Sequence, residues 1–199
     1  MPNHTDLTGL AGVVSAVCAL LLLLPGVARL SRPRRAALLG GFFALMLIPY
    51  GGMPLAAYVR GVSGDLSITS LVLLWAALLQ PWIITMDAGS RRALLRLIAL
   101  AAVAFYPMAL GVGAVDPYHL GFADPLFVTA LLIITLAAWF WKLYPVALCI
   151  ALATLAWAIG WYESSNLWDY LLDPFVSVYA LAATLIYALR ALSQSALPK

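Results

Sequence analysis

Charged side chains are scarce in this chain of 199 residues. Asp, Glu, Lys and Arg together make up 10% of the sequence, hydrophobic residues make up 65%, and the mean hydropathy is +1.01. A soluble domain usually carries about 25% charged residues, so the composition argues against a soluble fold. We expect an integral membrane protein that forms a single all-α transmembrane domain over 1–199, with little chain left for a folded soluble part.

Residues that bind metals or act as nucleophiles are equally few. The chain has two histidines and two cysteines, and it contains no HxxxH, HExxH, calcium-loop or GxSxG pattern. Cys18 and Cys149 fall inside predicted helices, where we interpret them as packing residues. His4 and His119 give poor support for haem. The last predicted helix contains no lysine, which excludes a retinal Schiff base there.

Long apolar runs are abundant, and they predict a polytopic helical bundle. Seven segments of about 17 to 23 residues are each close to the roughly 20 residues that cross a bilayer. They run approximately over 9–30, 36–58, 66–86, 93–113, 125–141, 143–161 and 174–190. No full charge lies at the middle of any segment, which argues against a proton pump, a voltage sensor or a strongly ion-coupled transporter.

The charges are distributed unequally between the two ends of these helices. If the N-terminus is outside and the C-terminus is cytoplasmic, seven of the eight acidic residues lie outside and ten of the eleven basic residues lie inside. The inner residues are Arg29, Arg32, Arg34, Arg35, Arg91, Arg92, Arg96, Lys142, Arg190 and Lys199. The positive-inside rule selects this orientation and predicts a multi-pass protein of a bacterial-type inner membrane. Because the basic residues are membrane anchors, nucleic-acid binding is not expected despite the net charge of +3.

Three outer carboxylates precede predicted helices. Asp65, Asp124 and Asp173 each stand directly before a helix, and Pro125 and Pro174 follow the latter two. Asp at the N-cap with proline at the first helical position satisfies unpaired amide hydrogens at the positive end of the helix dipole. We therefore interpret these three residues mainly as helix caps.

Other outer polar residues are candidates for a binding site. The segment 163–173 predicts a short interfacial helix that presents Asn166, Asp169 and Asp173 on one side and anchors Trp168 among lipid headgroups. The candidate ligand-binding residues are Tyr50, Arg60, Asp116, His119, Glu163, Asn166 and Asp169. The candidate metal ligands, for a divalent cation, are Asp116, His119, Glu163 and Asp169. The alternative is an amphipathic connector whose acids are only solvated.

The second predicted helix contains Pro49-Tyr50-Gly51-Gly52-Met53-Pro54, which should break or kink it near the outer leaflet. Irregular backbone at that depth is tolerated where protein buries it or where it lines a wet cavity, so we expect a pocket here. Arg60 follows, and its guanidinium is suited either to a phosphate or to an ion pair with Asp65. Tyr106 and Tyr162 are further pocket candidates, or members of the aromatic belt.

These features favour a binding or accessory protein over an enzyme. Its acidic and aromatic outer surface would hold a lipid, a cation or the periplasmic region of another membrane protein. One alternative is a channel or transporter for small solutes. Another is an outer-leaflet enzyme acting on a lipid or lipid-linked phosphate, with the outer carboxylates and His119 as bases or metal ligands and Arg60 as a phosphate clamp.

Overall fold

The computed structural model describes residues 4–22, 24–79 and 86–195, and the fold is all-helical, as predicted. Helix accounts for 77% of the structure. The end of the predicted third span and Lys199 lie outside the described residues. The elements in chain order are α1 (His4–Leu22), α2 (Pro25–Ala28), α3 (Arg32–Leu47), β1 (Pro49–Tyr50), β2 (Met53–Pro54), α4 (Leu55–Ser63), α5 (Ile68–Leu79), α6 (Ala88–Ala109), a 3-10 turn (Pro117–Gly121), α7 (Pro125–Phe140), α8 (Tyr144–Ala158), α9 (Trp168–Leu171) and α10 (Pro174–Ser195).

Two of the described helices are long and apolar enough to cross a membrane, judged by length and composition. They are Ala88–Ala109, which is α6, and Pro174–Ser193, which is most of α10. Four shorter helical stretches are also apolar: Leu7–Leu22, Ile68–Leu79, Pro125–Phe140 and Tyr144–Ala158. These lengths hint at membrane association, but seven spans are not confirmed by this criterion.

The predicted span 36–58 is not one helix. α3 ends at Leu47, and residues 49–54 form a small antiparallel hairpin in which Tyr50 pairs with Met53. Gly51 and Gly52 make the turn with φ values of 61° and 96°, which suits a two-residue hairpin turn of positive φ. Proline at both ends of the hairpin lacks the N–H that a continuous helix needs. The interruption was predicted; the new helix that follows it, α4, was not.

Two other helix boundaries also differ from the prediction. The span 9–30 stops at Leu22, and Pro25 starts the separate short helix α2. α6 begins at Ala88, five residues before the predicted start at 93, because the Asp87 carboxylate accepts hydrogen bonds from Gly89 N and Ser90 N at 2.9 Å each. This carboxylate supplies the N-cap that sequence periodicity alone did not locate.

The helices pack into two hydrophobic clusters that share α5 as a neighbour. In the larger cluster, α6, α8 and α10 enclose Leu95, Ala153 and Ala180, which are fully buried. In the smaller cluster, α1, α3, α4 and α5 enclose Val14 and Ala56. α5 contacts both α1 and α8. The loops that follow α6 and α8 lie against the larger cluster, where they form the candidate site.

Candidate functional site

Two loops that are far apart in sequence meet in the structure. The first loop, residues 110–124, follows α6, and the second loop, residues 159–173, follows α8. Leu167 N donates to Gly121 O at 2.9 Å, and Trp168 Nε1 donates to Pro117 O at 2.8 Å. Main-chain carbonyl groups of the first loop therefore bind the second loop directly. This contact brings Asp116 of the first loop and Asp169 of the second loop to the same cavity.

Asn166 joins the two loops and is completely buried. Its Nδ2 donates to Tyr118 O at 2.9 Å, and its Oδ1 accepts from Trp168 N at 2.9 Å. A Cβ atom at Gly121 would overlap the Asn166 amide and press on Trp168. Asn166 was a candidate ligand residue, but its amide is engaged on both sides by the protein, so it acts as a structural link.

The second loop is less helical than predicted. Only Trp168–Leu171 is helical, because Asn166 bonds the main chain of Trp168 and draws the preceding residues against the first loop. The Trp168 ring lies between Phe105 and Phe127, with ring centroids 4.4 and 4.6 Å away. The expected interfacial helix over 163–173 and the headgroup anchor at Trp168 are thus replaced by a packed aromatic layer.

Tyr170 fixes the rest of the second loop from inside. Its side chain is fully buried, and its hydroxyl accepts from Tyr162 N at 3.1 Å and donates to Ser164 O at 2.9 Å. Trp157 Nε1 donates to Ser165 O at 2.8 Å. These bonds fix the position of Ser164 beside Asp169.

Together the loops and helix ends surround a cavity of about 620 Å³, which we call the outer pocket. Carboxylates line one part of it and aromatic rings line another. The carboxylates are Asp65, Asp116, Asp169 and Asp173, and the aromatic side chains are Phe105, Tyr106, Tyr118, Tyr162 and Trp168. Tyr106 and Tyr162, which were candidates, therefore belong to a pocket.

Asp173 is the most buried carboxylate of the outer pocket, with 5% of its surface exposed. Its Oδ1 accepts from Val176 N at 2.9 Å, which is the predicted cap on α10. Its Oδ2 accepts from Ser67 N at 2.9 Å, from Ser67 Oγ at 2.7 Å and from Ser70 Oγ. The sequence did not reveal this link to α5, although hydroxyls three residues apart at a helix start were a visible signal.

Asp65 was predicted to cap α5, but the structure shows that it does not. Ser67 Oγ accepts from Ser70 N at 3.1 Å and takes that position. The Asp65 carboxylate instead binds the Arg60 guanidinium in a bidentate pair, with Nε–Oδ1 and Nη2–Oδ2 distances of 2.6 and 2.9 Å. Arg60 thus makes the ion pair that was one of the two predicted roles. Asp124 is an N-cap as predicted, accepting from Phe127 N at 2.9 Å.

Asp169 and Asp116 face the pocket from the two loops. Asp169 Oδ2 accepts from Tyr118 Oη at 3.0 Å and from Ser164 Oγ at 2.5 Å. Asp116 is exposed, and its Oδ1 accepts from Tyr118 N at 2.9 Å. Tyr118, which the sequence did not single out, therefore touches both candidate carboxylates.

The pocket environment disfavours ionisation of its tyrosines. Burial, the negative charge of Asp169 and the hydrogen bond to that carboxylate all raise the pKa of Tyr118. Burial, and next the charge of Asp65, raise the pKa of Tyr162. Both phenols are therefore neutral at neutral pH, and the Tyr118 hydroxyl donates to Asp169 Oδ2.

Three predicted ligand residues lie away from this pocket. Tyr50 is exposed in the hairpin, His119 is exposed in the 3-10 turn, and Glu163 is exposed in the second loop. None of them lines the outer pocket. Within the described ranges, no three His, Cys, Asp or Glu side chains converge on a point that could hold a metal ion. The predicted metal set of Asp116, His119, Glu163 and Asp169 is therefore not assembled.

No family model, no curated protein and no solved structure matches this chain. The outer pocket combines four carboxylates, one of which is paired with Arg60, with a wall of aromatic rings.

Proposed function

We propose that this chain is a multi-pass protein of a bacterial-type inner membrane, with the outer pocket on the extracytoplasmic side. Seven segments cross the membrane in this proposal. Six of them are the helices α1, α5, α6, α7, α8 and α10, and the seventh segment consists of α3 and α4 with the hairpin between them. Large apolar side chains face outward along them, as Leu100, Leu132 and Leu185 do with 69%, 56% and 60% of their surface exposed. Such an apolar surface is suited to contact with lipid.

Chemical labelling tests this topology. A cysteine replaces Glu163 at the proposed outer side or Arg92 at the proposed inner side, in a chain whose own Cys18 and Cys149 are buried. A membrane-impermeant maleimide added to intact spheroplasts should label E163C and should label R92C only after lysis. Labelling of both sites in intact spheroplasts, or of R92C alone, contradicts the topology.

We further propose that the outer pocket binds an organic cation, such as a protonated amine or a quaternary ammonium group. The observation that carries this proposal is the joint lining of one cavity by carboxylates and aromatic rings. A cation against an aromatic face gains about 0.5–2 kcal/mol, more when it is desolvated. A carboxylate about 4 Å away adds about 4 kcal/mol of attraction at an effective dielectric constant of about 20.

The same geometry favours an organic cation over a hard metal ion. Asp173 is engaged by four hydrogen bonds from Ser67, Ser70 and Val176, and Asp65 is engaged by Arg60. Calcium takes about six to eight oxygen ligands, whereas an ammonium group needs one or two carboxylates and an apolar surface. Asp169 and Asp116, beside Tyr118 and Trp168, offer that combination.

The cation has three sources that share this chemistry: a free solute, the headgroup of a lipid, or a basic side chain of a partner protein. In the last case the chain is an accessory subunit. The pocket opens between loops at the proposed outer surface, so each source reaches it without crossing the membrane.

Equilibrium binding to the purified full-length chain in detergent tests the proposal. The probe is choline, and the control ligand is 3,3-dimethylbutan-1-ol, which has the same shape without the charge. We expect saturable choline binding that weakens with added salt, because salt screens charge attraction, and little binding of the neutral alcohol. Equal binding of both ligands contradicts a cation site.

Matched variants locate the site. Asp169→Asn removes one charge from the pocket and should weaken choline binding about tenfold, while Asn keeps an oxygen acceptor for Tyr118. Glu163→Gln removes one charge from the same loop outside the pocket and should leave choline binding within about twofold. Equal effects of the two variants would show that the general negative field, and not the pocket, attracts the cation.

Three further measurements separate the sources. Phosphatidylcholine or phosphatidylethanolamine retained by the purified chain and displaced by choline indicates a lipid headgroup. A membrane protein that co-purifies with the wild-type chain but not with Asp169→Asn indicates an accessory role. Choline flux into proteoliposomes that stops in Asp169→Asn would instead identify a transporter that uses this pocket as its entrance.

A further inference from the structure

A second cavity, of about 550 Å³, lies between α1, α4, α5 and α10, and we call it the inner groove. Most of its wall is apolar, with Val17, Leu74 and Ala77 as representative side chains. Arg91 is the charged side chain among the described residues that line it, and no carboxylate belongs to that lining. The groove therefore differs from the acidic outer pocket in both its polarity and its charge.

Arg91 and Tyr179 form a polar patch on the groove wall. Arg91 Nη2 donates to Tyr179 Oη at 2.5 Å. A guanidinium has several N–H donors, so one bond to a phenol leaves others directed elsewhere. Arg91 lies in the first turn of α6, which is the cytoplasmic end in the topology proposed above. Arginine at that level is well suited to bind a phosphate of the inner leaflet.

The inner groove is separated from the outer pocket by a hydrogen bond. Ser70 lines the groove, and Asp173 lines the outer pocket. Ser70 Oγ donates to Asp173 Oδ2, and Val176, another groove residue, donates its N–H to Asp173 Oδ1. Asp173 thus directs both carboxylate oxygens to donors of the groove wall and does not itself line the groove.

The inner groove is a cavity of about 550 Å³ between helices, whereas a transmembrane helix is about 10 Å across with its side chains. A flexible hydrocarbon chain is much thinner than a helix, and it matches an apolar groove that carries one cation.

We propose that the inner groove binds an anionic phospholipid of the cytoplasmic leaflet, with an acyl chain along α1 and α5 and the phosphate on Arg91. This inference uses the proposed topology but is independent of the outer pocket and its organic cation. Charge complementarity selects the lipid class, since a zwitterionic headgroup brings its own cation to Arg91 and loses that advantage.

Lipid retention by the full-length chain tests the inference. The chain is reconstituted in nanodiscs of phosphatidylcholine with a minor fraction of phosphatidylglycerol, extracted in mild detergent, and analysed by native mass spectrometry. We expect phosphatidylglycerol to be enriched on the wild-type chain. Arg91→Gln should reduce that enrichment about five- to tenfold, and Tyr179→Phe should reduce it less.

The neighbouring arginine provides the matched control. Arg92 bonds Ala88 O and does not line the groove, so Arg92→Gln removes the same charge from the same helix turn and should retain phosphatidylglycerol. Ala77→Phe fills the groove and should lower retention with Arg91 intact. Equal losses in Arg91→Gln and Arg92→Gln, or undiminished retention in a folded Ala77→Phe, overturn the proposal, as does a protein in the groove in place of lipid. Choline binding at the outer pocket should be unchanged in Arg91→Gln, which keeps the two proposals separable.

Discussion

Ser67 donates both its backbone N–H and its hydroxyl to one oxygen of Asp173, at 2.9 and 2.7 Å, although the two residues are 106 positions apart. The contact joins the start of α5 to the start of α10. Because Asp173 is buried and also caps Val176 N, one carboxylate satisfies the first turns of two helices. The same contact closes the inner side of the outer pocket.

Asp173→Asn should destabilise the chain by about 2–4 kcal/mol, because hydrogen bonds to a charge are lost and an amide NH2 group meets donors where an acceptor is needed. Unfolding is measured by heating the detergent-solubilised chain with a thiol-reactive fluorophore. Cys18 and Cys149 are 3% and 2% exposed, so they react as the fold opens.

Asp124→Asn is the matched control for that change. Asp124 caps α7 with one bond to Phe127 N, and Asn is about as good an N-cap as Asp. We expect a loss below about 0.5 kcal/mol. Equal melting temperatures of the Asp173→Asn and Asp124→Asn chains would show that the Ser67 and Ser70 bonds contribute nothing.

Gly121→Ala should destabilise the junction of the two loops by about 1–3 kcal/mol, the usual cost of overpacking. The new methyl group would overlap the Asn166 side chain, and Asn166 cannot withdraw without giving up its bond to Tyr118 O. Gly40→Ala is the control, since no atom lies within 4 Å of a Cβ there and alanine favours a helix. A neutral Gly121→Ala in the same thermal assay would mean that the loop contact is loose.

Tyr170→Phe should cost about 1–2 kcal/mol, because it leaves Tyr162 N and Ser164 O without their buried partner. The ring contact with Tyr162, at a centroid distance of 5.2 Å, is retained by phenylalanine. Tyr58→Phe removes a hydroxyl that bonds Tyr50 O at the exposed hairpin, where solvent replaces it, so little change is expected. If the two variants melt alike, the Tyr170 hydroxyl has no special role.

The sequence was most informative where the local pattern alone decides the structure. Apolar runs predicted the helices, and Asp-Pro predicted the starts of α7 and α10, because each needs only neighbouring residues. Pro49 and Pro54 likewise marked the interruption of the second predicted span. The two glycines between them form a two-residue hairpin turn, and a new helix starts after this turn. Helical periodicity in the sequence predicts neither feature.

Local sequence patterns could not predict contacts between residues that are far apart in the chain. Residue types alone placed Asp116, His119, Glu163 and Asp169 in one metal set, whereas the fold brings Asp169 to Tyr118 and leaves His119 and Glu163 exposed. Asn166 was read as a ligand because it is polar, yet it is buried by the other loop. Asp65 had two possible roles, as a helix cap or as the partner of Arg60. The backbone conformation of residues 61–64, where Gly64 has a φ of 71°, brings Asp65 to Arg60.

High pH should destabilise the outer pocket through Tyr118. Burial, the Asp169 charge and the hydrogen bond to Asp169 raise the pKa of this phenol above its ordinary value of 10.0 in the folded chain. The folded state therefore favours the protonated form: its contribution to stability is complete below pH 10 and is lost as the pH rises through the raised pKa. The melting temperature should fall as the pH rises above about 10, and less steeply in Tyr118→Phe, with Tyr162 responsible for part of the remaining slope. Asp169→Asn should move the absorbance change of Tyr118 ionisation at about 295 nm to lower pH, because it removes the nearby charge. An alkaline slope that is the same in the wild-type and Tyr118→Phe chains would show that this phenol is not held against Asp169.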